Sequence, residues 1–368
     1  MAKTVFVGLS GGVDSAVSAM LLKQATPNNF EKLFGRPTPE GFRGFNVVGV
    51  FIKIWQPEFI ECTWAADRLD AMRVAVALGI PFREIDLSSD YQRMVVEDTV
   101  AAYARGVTPN PDVLCNRHIK FGSFMNYALH EGADFIATGH YVRNEKSRDT
   151  FSLLRGLDND KDQSYFLYAL GQAELARTMF PVGGLHKKQV RRLATKWRLP
   201  VAHKPDSQGL CFVGDVSMKD FLSRYIKFEC GQVIDPNGTV VGTHDGAALY
   251  TIGQRHGFLI EGRDVERTAH YVVSVDVAEN TICVSQRRED AARKEVLLDG
   301  MHWIENAPVL PLRAQTQARY REEPHDATIE DAGSGIKIIF NEPHIAAPGQ
   351  SLVAYEGERC LGGWVIAN

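Results

Sequence analysis

The string Ser10-Gly11-Gly12-Val13-Asp14-Ser15 lies between an apolar run, Val5 to Leu9, and a stretch in which Val13, Ala16, Val17, Met20 and Leu21 share one helical face. That order predicts a strand, a glycine turn and the start of a helix. Backbone N–H groups and the positive end of a helix dipole converge in such a turn, so it reads as a phosphate site. The glycines let the backbone approach phosphate oxygens, and the hydroxyls of Ser10 and Ser15 donate without adding charge. Asp14 cannot bind phosphate itself; beside a polyphosphate, a carboxylate in the first helical turn suits Mg²⁺. The chain contains no Gly-x-x-x-x-Gly-Lys-Ser/Thr string, and Gly8 to Gly12 lacks the dinucleotide spacing, which leaves a third kind of loop.

The first third of the chain alternates strand and helix patterns, which predicts an α/β unit with a parallel sheet covered on both faces. Strands are expected at Val47 to Ile54, Phe82 to Leu87 and Asp134 to Thr138, and helices at Ala65 to Leu78, Ser89 to Arg105 and Ile119 to His130. In the first of these helices Leu69, Met72 and Val76 mark the expected buried face, and Gly79 with Pro81 marks its end. Thr26 to Gly44, rich in proline and glycine, reads as an insertion loop. Such a sheet binds ligand at the carboxyl ends of its strands, where the glycine turn lies. From Gly231 the pattern becomes β-rich, with runs at Ala247 to Ile252, Tyr271 to Val277 and Thr281 to Ser285. After Arg287 further runs follow at Leu312 to Tyr320, Asp326 to Glu330, Gly335 to Phe340, Ser351 to Glu356 and Gly362 to Ile366. Short strands without helices predict a small antiparallel barrel or sandwich.

With 368 residues, 45% of them hydrophobic, the chain can build two or three cores. It has no apolar run of about eighteen residues, so no membrane span is expected. Met1 to Leu9 is too short for a signal peptide and lacks the Arg-rich character of a transit segment, so a cytoplasmic protein is expected. The six cysteines show no Cys-x-x-Cys spacing, which argues against a zinc site or a disulfide framework. The net charge of −4 does not mark a nucleic-acid binder, yet Lys187, Lys188, Arg191, Arg192, Lys196 and Arg198 crowd one segment. Val190, Leu193 and Trp197 give that segment an apolar stripe. The cations are therefore expected on the outer face of a helix, either solvated or against RNA phosphates.

Two cysteines stand apart from the rest. Cys115 follows Thr108-Pro109-Asn110-Pro111-Asp112-Val113-Leu114, in which two prolines predict an extended loop at the active-site face. Cys211 lies in a second loop, Pro205-Asp206-Ser207-Gln208-Gly209-Leu210-Cys211-Phe212. Cys62, Cys230, Cys283 and Cys360 read as packing residues. His140 reads as a hydrogen-bonded loop residue, because no metal partners stand at suitable spacing.

The glycine loop resembles the pyrophosphate-binding loop of the ATP pyrophosphatases. With Ile119-Lys120-Phe121, Ala137-Thr138-Gly139-His140-Tyr141, Asp160-Lys161-Asp162-Gln163-Ser164-Tyr165-Phe166, the Cys115 and Cys211 segments, and Tyr250-Thr251-Ile252-Gly253-Gln254-Arg255, the chain is similar throughout to the bacterial tRNA-specific 2-thiouridylases. The resemblance implies a catalytic ATP pyrophosphatase domain (1–214), a small central β-rich domain (215–286) and a C-terminal antiparallel β-barrel that contacts tRNA (287–368). It implies ATP- and Mg²⁺-dependent thiolation at C2 of the wobble uridine in tRNAs for Lys, Glu and Gln. The sulfur would arrive as a persulfide on Cys211, delivered by a sulfur-relay protein or cysteine desulfurase. Cys115 would release the sulfur or close a disulfide with Cys211, and Asp112 would act as acid or base. ATP would contact Gly8, Leu9, Ser10, Gly11, Gly12, Val13, Asp14, Ser15, Ile52 and Gly139; Ile52 stands where many relatives carry Met. The tRNA would meet Asn110, Pro111, Asp112, Lys161, Asp162, Gln163, Arg319 and Tyr320. Two other readings compete: an amidating synthetase with the same loop, and a non-catalytic RNA-binding module that holds ATP.

Overall fold

The computed structural model describes residues 2–34, 37–38, 40–59, 64–206, 216–261, 269–333 and 335–367. Five parallel strands form the first sheet: β1 (Lys3–Gly8), β2 (Phe45–Lys53), β3 (Phe82–Asp86), β4 (Phe135–Ala137) and, after the hairpin of β5 (Val142–Ser147) and β6 (Thr150–Arg155), β7 (Thr178–Met179). Their order is β3-β2-β1-β4-β7, so the chain reverses its direction of travel beside β1, and the glycine turn opens at that crevice. Helix α1 (Val13–Lys23) follows the turn and buries Val17 and Leu22 completely, each worth about 2 kcal/mol of apolar transfer.

The helix Trp64–Leu78 presents Ala71, Val74, Ala75 and Leu78 to the core, whereas Val76 is 80% exposed and Leu69 45%. This corrects the expected face. Small alanines let the helix lie close enough for the Asp67 carbonyl to approach Gly11. The segment after α1 is more than a loop, since Phe30, Phe34, Phe42 and Phe45 pack edge to face into a small aromatic core.

The remaining strands make two β units. β8 (Gly231–Ile234), β9 (Val240–His244), β10 (Phe258–Ile260), β11 (Tyr271–Asp276) and β12 (Thr281–Ser285) form a sheet in the order β10-β9-β8-β12-β11, with β8 and β12 parallel. Ala247–Leu249, expected in a strand, is instead a 3₁₀ turn. β13 (Arg293–Trp303), β14 (Leu312–Gln317), β15 (His325–Asp331), β16 (Ile336–His344), β17 (Ser351–Glu356) and β18 (Arg359–Ile366) close into a six-stranded antiparallel barrel through the β13–β18 pairing. The β5–β6 hairpin of the first unit adds to the barrel at β18, pairing Leu154 with Arg359 and Leu153 with Cys360. Tyr165 reinforces the join, its hydroxyl donating to the carbonyls of Ala318 and Ser351. No helix among the described residues is long and apolar enough to cross a membrane.

Candidate active site

The glycine turn has the shape its sequence predicts. Gly11 adopts φ +73, and a Cβ there would sit 2.4 Å from the Asp67 carbonyl oxygen, so only glycine fits. Gly12 opens α1 without a side-chain cap, leaving helix N–H groups for an anion. The Ser10 and Ser15 hydroxyls lie 3.2 Å apart, and Ser15 donates to the Gly12 carbonyl. Leu9 and Val13 are core side chains. Gly139 lies against the first turn of α1, where a Cβ would be 2.8 Å from the Ser15 nitrogen. Ile52, half-buried at the end of β2, lies over Gly8 with Phe124.

Asp14 sits at the centre of an ion network. Its carboxylate accepts from the Tyr141 hydroxyl at 2.7 Å and from Lys187 Nζ at 2.7 and 2.8 Å. Lys187 also meets Asp206 at 2.9 Å, and Asp206 pairs with Lys161 at 2.8 Å and with Arg191. Burial pushes the Asp206 carboxyl up, but hydrogen bonds from Lys161 and Lys187 outweigh it and hold the group well below the usual carboxylate range. Burial, with Asp14 adding to it, pushes the Tyr141 phenol well above its ordinary value, so Tyr141 stays a donor. Lys187 and Arg191, expected on the outer face of their helix, thus turn inward; Lys188, Arg192, Lys196 and Arg198 remain exposed, and no acid among the described residues pairs with them. In the sequence Lys187 reads only as one of the outer-face cations, and Tyr141 only as the end of the Ala137–Tyr141 string. The available signal is the four-residue spacing of Lys187 and Arg191, which puts both on one side of the helix.

The second cluster is helical rather than extended. Pro111 starts a helix that runs through 130, with a π-type stretch at Cys115–Ser123. Proline suits a first helical position, and Asn110 caps the turn by accepting from the Val113 N–H at 3.3 Å. Asp112 and Cys115 therefore lie about one turn apart on the same helix. Cys115 is buried in the core shared with Phe124 and Phe6. Burial raises the Asp112 pKa, and Lys120 draws it partway back. Lys120 also approaches His140 Nε2 at 3.4 Å, while Thr138 contacts the other ring nitrogen at 2.8 Å. Burial first, then Lys120, holds His140 far below its normal pKa, so the ring is neutral. Cys211 and Cys62 lie outside the described residues.

Asp162 is buried and accepts from Arg155, the Gly156 N–H, and the N–H and hydroxyl of Ser164. Its oxygens accept from four protein donors. Gln163 accepts from the Tyr141 N–H. Arg319 donates to the Ile252 carbonyl at 2.8 Å, and Tyr320 packs on Phe166 at 4.4 Å with the Arg321 guanidinium 5.1 Å from its ring. Pro111 is buried. No group of three His, Cys, Asp or Glu side chains suited to a metal stands among the described residues. Asp14 is the carboxylate beside the glycine turn, where Tyr141 and Lys187 meet its oxygens.

A parallel sheet with this glycine turn at its crevice, followed by two β units, defines a nucleotide-using enzyme of the HUP class. Family models match in the same order: the tRNA methyl transferase HUP domain at 3–34 and 41–215, the tRNA methyl transferase PRC-barrel domain at 219–286, and the aminomethyltransferase beta-barrel domain at 293–366. The chain is 41% identical to the tRNA-specific 2-thiouridylase MnmA of Haemophilus ducreyi, over 99% of this chain and 92% of that one. It is 42% identical to the proteins of the same name from Pasteurella multocida and Salmonella typhimurium, over 99% of this chain and 93% and 96% of theirs. The chain belongs to the tRNA-specific 2-thiouridylase family.

Proposed function

We propose that the protein is a cytoplasmic, ATP-dependent tRNA 2-thiouridylase that replaces the C2 oxygen of the wobble uridine with sulfur, in tRNAs for Lys, Glu and Gln. The observation that carries this reading is the pairing of an anion-binding glycine turn with a helix that bears Asp112 and Cys115 and packs on Gly8 through Phe124. The uracil O2 attacks the α-phosphorus of ATP, pyrophosphate leaves, and C2 then carries AMP, a far better leaving group than oxide. The terminal sulfur of a Cys211 persulfide attacks C2 and AMP departs. The Cys115 thiolate attacks the Cys211 sulfur, closing a disulfide and leaving the thiocarbonyl on the base. Asp112, its pKa raised by burial, is suited to move a proton on or off the base. Mg²⁺, held by the nucleotide and Asp14, would supply charge neutralisation. The exposed cations Lys188, Arg192, Lys196 and Arg198 suit RNA phosphates.

An amidating synthetase with the same loop would need neither cysteine, and a non-catalytic RNA binder would not cleave ATP. The test is to supply ATP, unmodified tRNA and a persulfide donor, with a sulfur-relay protein or cysteine desulfurase as source, and to digest the RNA. Formation of 2-thiouridine with AMP and pyrophosphate supports the proposal. Its absence with folded protein and active donor overturns it.

A further inference from the structure

The Tyr250–Arg255 motif of the central unit is remote in sequence from the catalytic helix, yet it touches the chain that leads into that helix. Thr251 Oγ1 lies 2.7 Å from Thr108 Oγ1. The same short segment is gripped from the barrel, where Gln350 Nε2 donates to the Thr108 carbonyl at 2.8 Å. From Thr108 onward the chain reads Thr-Pro-Asn-Pro, so one fixed φ, that of Pro109, separates this grip from Pro111, the first helical residue, whose own φ is fixed as well. A displacement at Thr108 has little slack in which to dissipate before it reaches Asp112 and Cys115.

The other side of the contact is equally rigid. Gly253 has φ +85 and bonds through its N–H to the Val272 carbonyl, and Gln254 Oε1 accepts from the Thr251 N–H. The next carbonyl along, that of Ile252, accepts from Arg319 of the barrel. One turn therefore touches both the entry to the helix that bears Asp112 and Cys115 and Arg319 of the barrel.

We propose that Thr251 is a positioning residue for the thiolation reaction: its hydroxyl, bonded to Thr108, braces the start of the helix carrying Asp112 and Cys115 in register with Arg319. This rests on the function proposed above.

The test compares Thr251→Val, Thr251→Ser, Thr108→Val and the double valine variant. Valine keeps the shape and removes the bond. Either single valine change lowers kcat for 2-thiouridine formation about tenfold while KM for tRNA and for ATP stays within about twofold. Serine restores kcat, and the double variant is no worse than either single one. Amide exchange over residues 108–115, followed by mass spectrometry, speeds up in both single valine variants, whatever the activity assay shows. That readout separates failure of the brace from failure of the proposed function. Folded Thr251→Val with unchanged kcat and unchanged exchange overturns the proposal. Should that variant not fold, unchanged kcat and exchange in Thr108→Val overturn it from the opposite side of the bond.

Discussion

Lys187 Nζ lies 2.7 Å from Asp14 Oδ1, so the first turn of the helix behind the glycine loop is tied to a cation from far along the chain. The same ammonium reaches Asp206, five positions before Cys211. Replacing Lys187 by Met removes both contacts and leaves the Asp14 carboxylate beside the glycine turn without its cation, while Asp206 keeps Lys161 and Arg191. The expected result is a loss of kcat/KM for ATP of about a hundredfold, with tRNA affinity unchanged in a filter-binding assay.

Asp206 makes a stability prediction with a definite sign. Its folded pKa is depressed, so it contributes stability above the ordinary carboxylate pKa and loses it as pH falls through the folded value. Asp206→Asn should lower Tm at pH 7, and the gap to wild type should narrow as the pH is taken below about 4. A gap independent of pH would remove the charge interaction from the account.

Asp112 behaves in the opposite sense. Burial raises its pKa, so the ionised carboxylate costs stability at neutral pH; the cost fades as pH falls through the raised folded value and is gone below the ordinary pKa of the unfolded chain. Asp112→Asn should raise Tm at pH 8, match wild type near pH 3, and reduce thiolation. Thermal melts across that range, read beside the activity assay, check both halves.

The exposed cations on the helix Lys187–Lys196 predict a salt effect. Lys188→Gln with Arg192→Gln should flatten the slope of log K against log salt for tRNA binding by about 2, or roughly 0.9 for each lost phosphate contact. At saturating tRNA the turnover should be unchanged.

How far these features are legible in the sequence depends on the range over which they act. The loop and α1 can be read because Val13, Val17 and Leu21 repeat with the helical period directly after two glycines. The helix Trp64–Leu78 is legible as a helix but its face is not: the close approach to Gly11 favours alanine, and a search for large apolar residues points to Leu69 and Val76 instead. The strand Arg293–Trp303 escapes pattern reading because register shifts after Arg293 and after Asp299 break its alternation. The helical start at Pro111 is hidden by two prolines, one of which favours a first helical position. Thr108 and Thr251 are 143 positions apart, and the β5–β6 hairpin joins a barrel strand some 200 positions on; no local pattern reports such pairings.

Cys115 supplies the test of the chemical order. Protein carrying Cys115→Ser and loaded with persulfide should still adenylate tRNA and bond sulfur to C2, then stall as a covalent protein–RNA adduct that thiol reductant releases. A denaturing gel with labelled tRNA shows the adduct directly.

The most direct measurement is a single turnover. Protein carrying ³⁵S as a persulfide on Cys211 is mixed with unmodified tRNA and ATP without further donor, and the RNA is digested to nucleosides. The account predicts label in 2-thiouridine at the wobble position, with one AMP formed for each sulfur transferred. Label that stays on the protein while AMP accumulates, or label that reaches RNA without ATP, would contradict it.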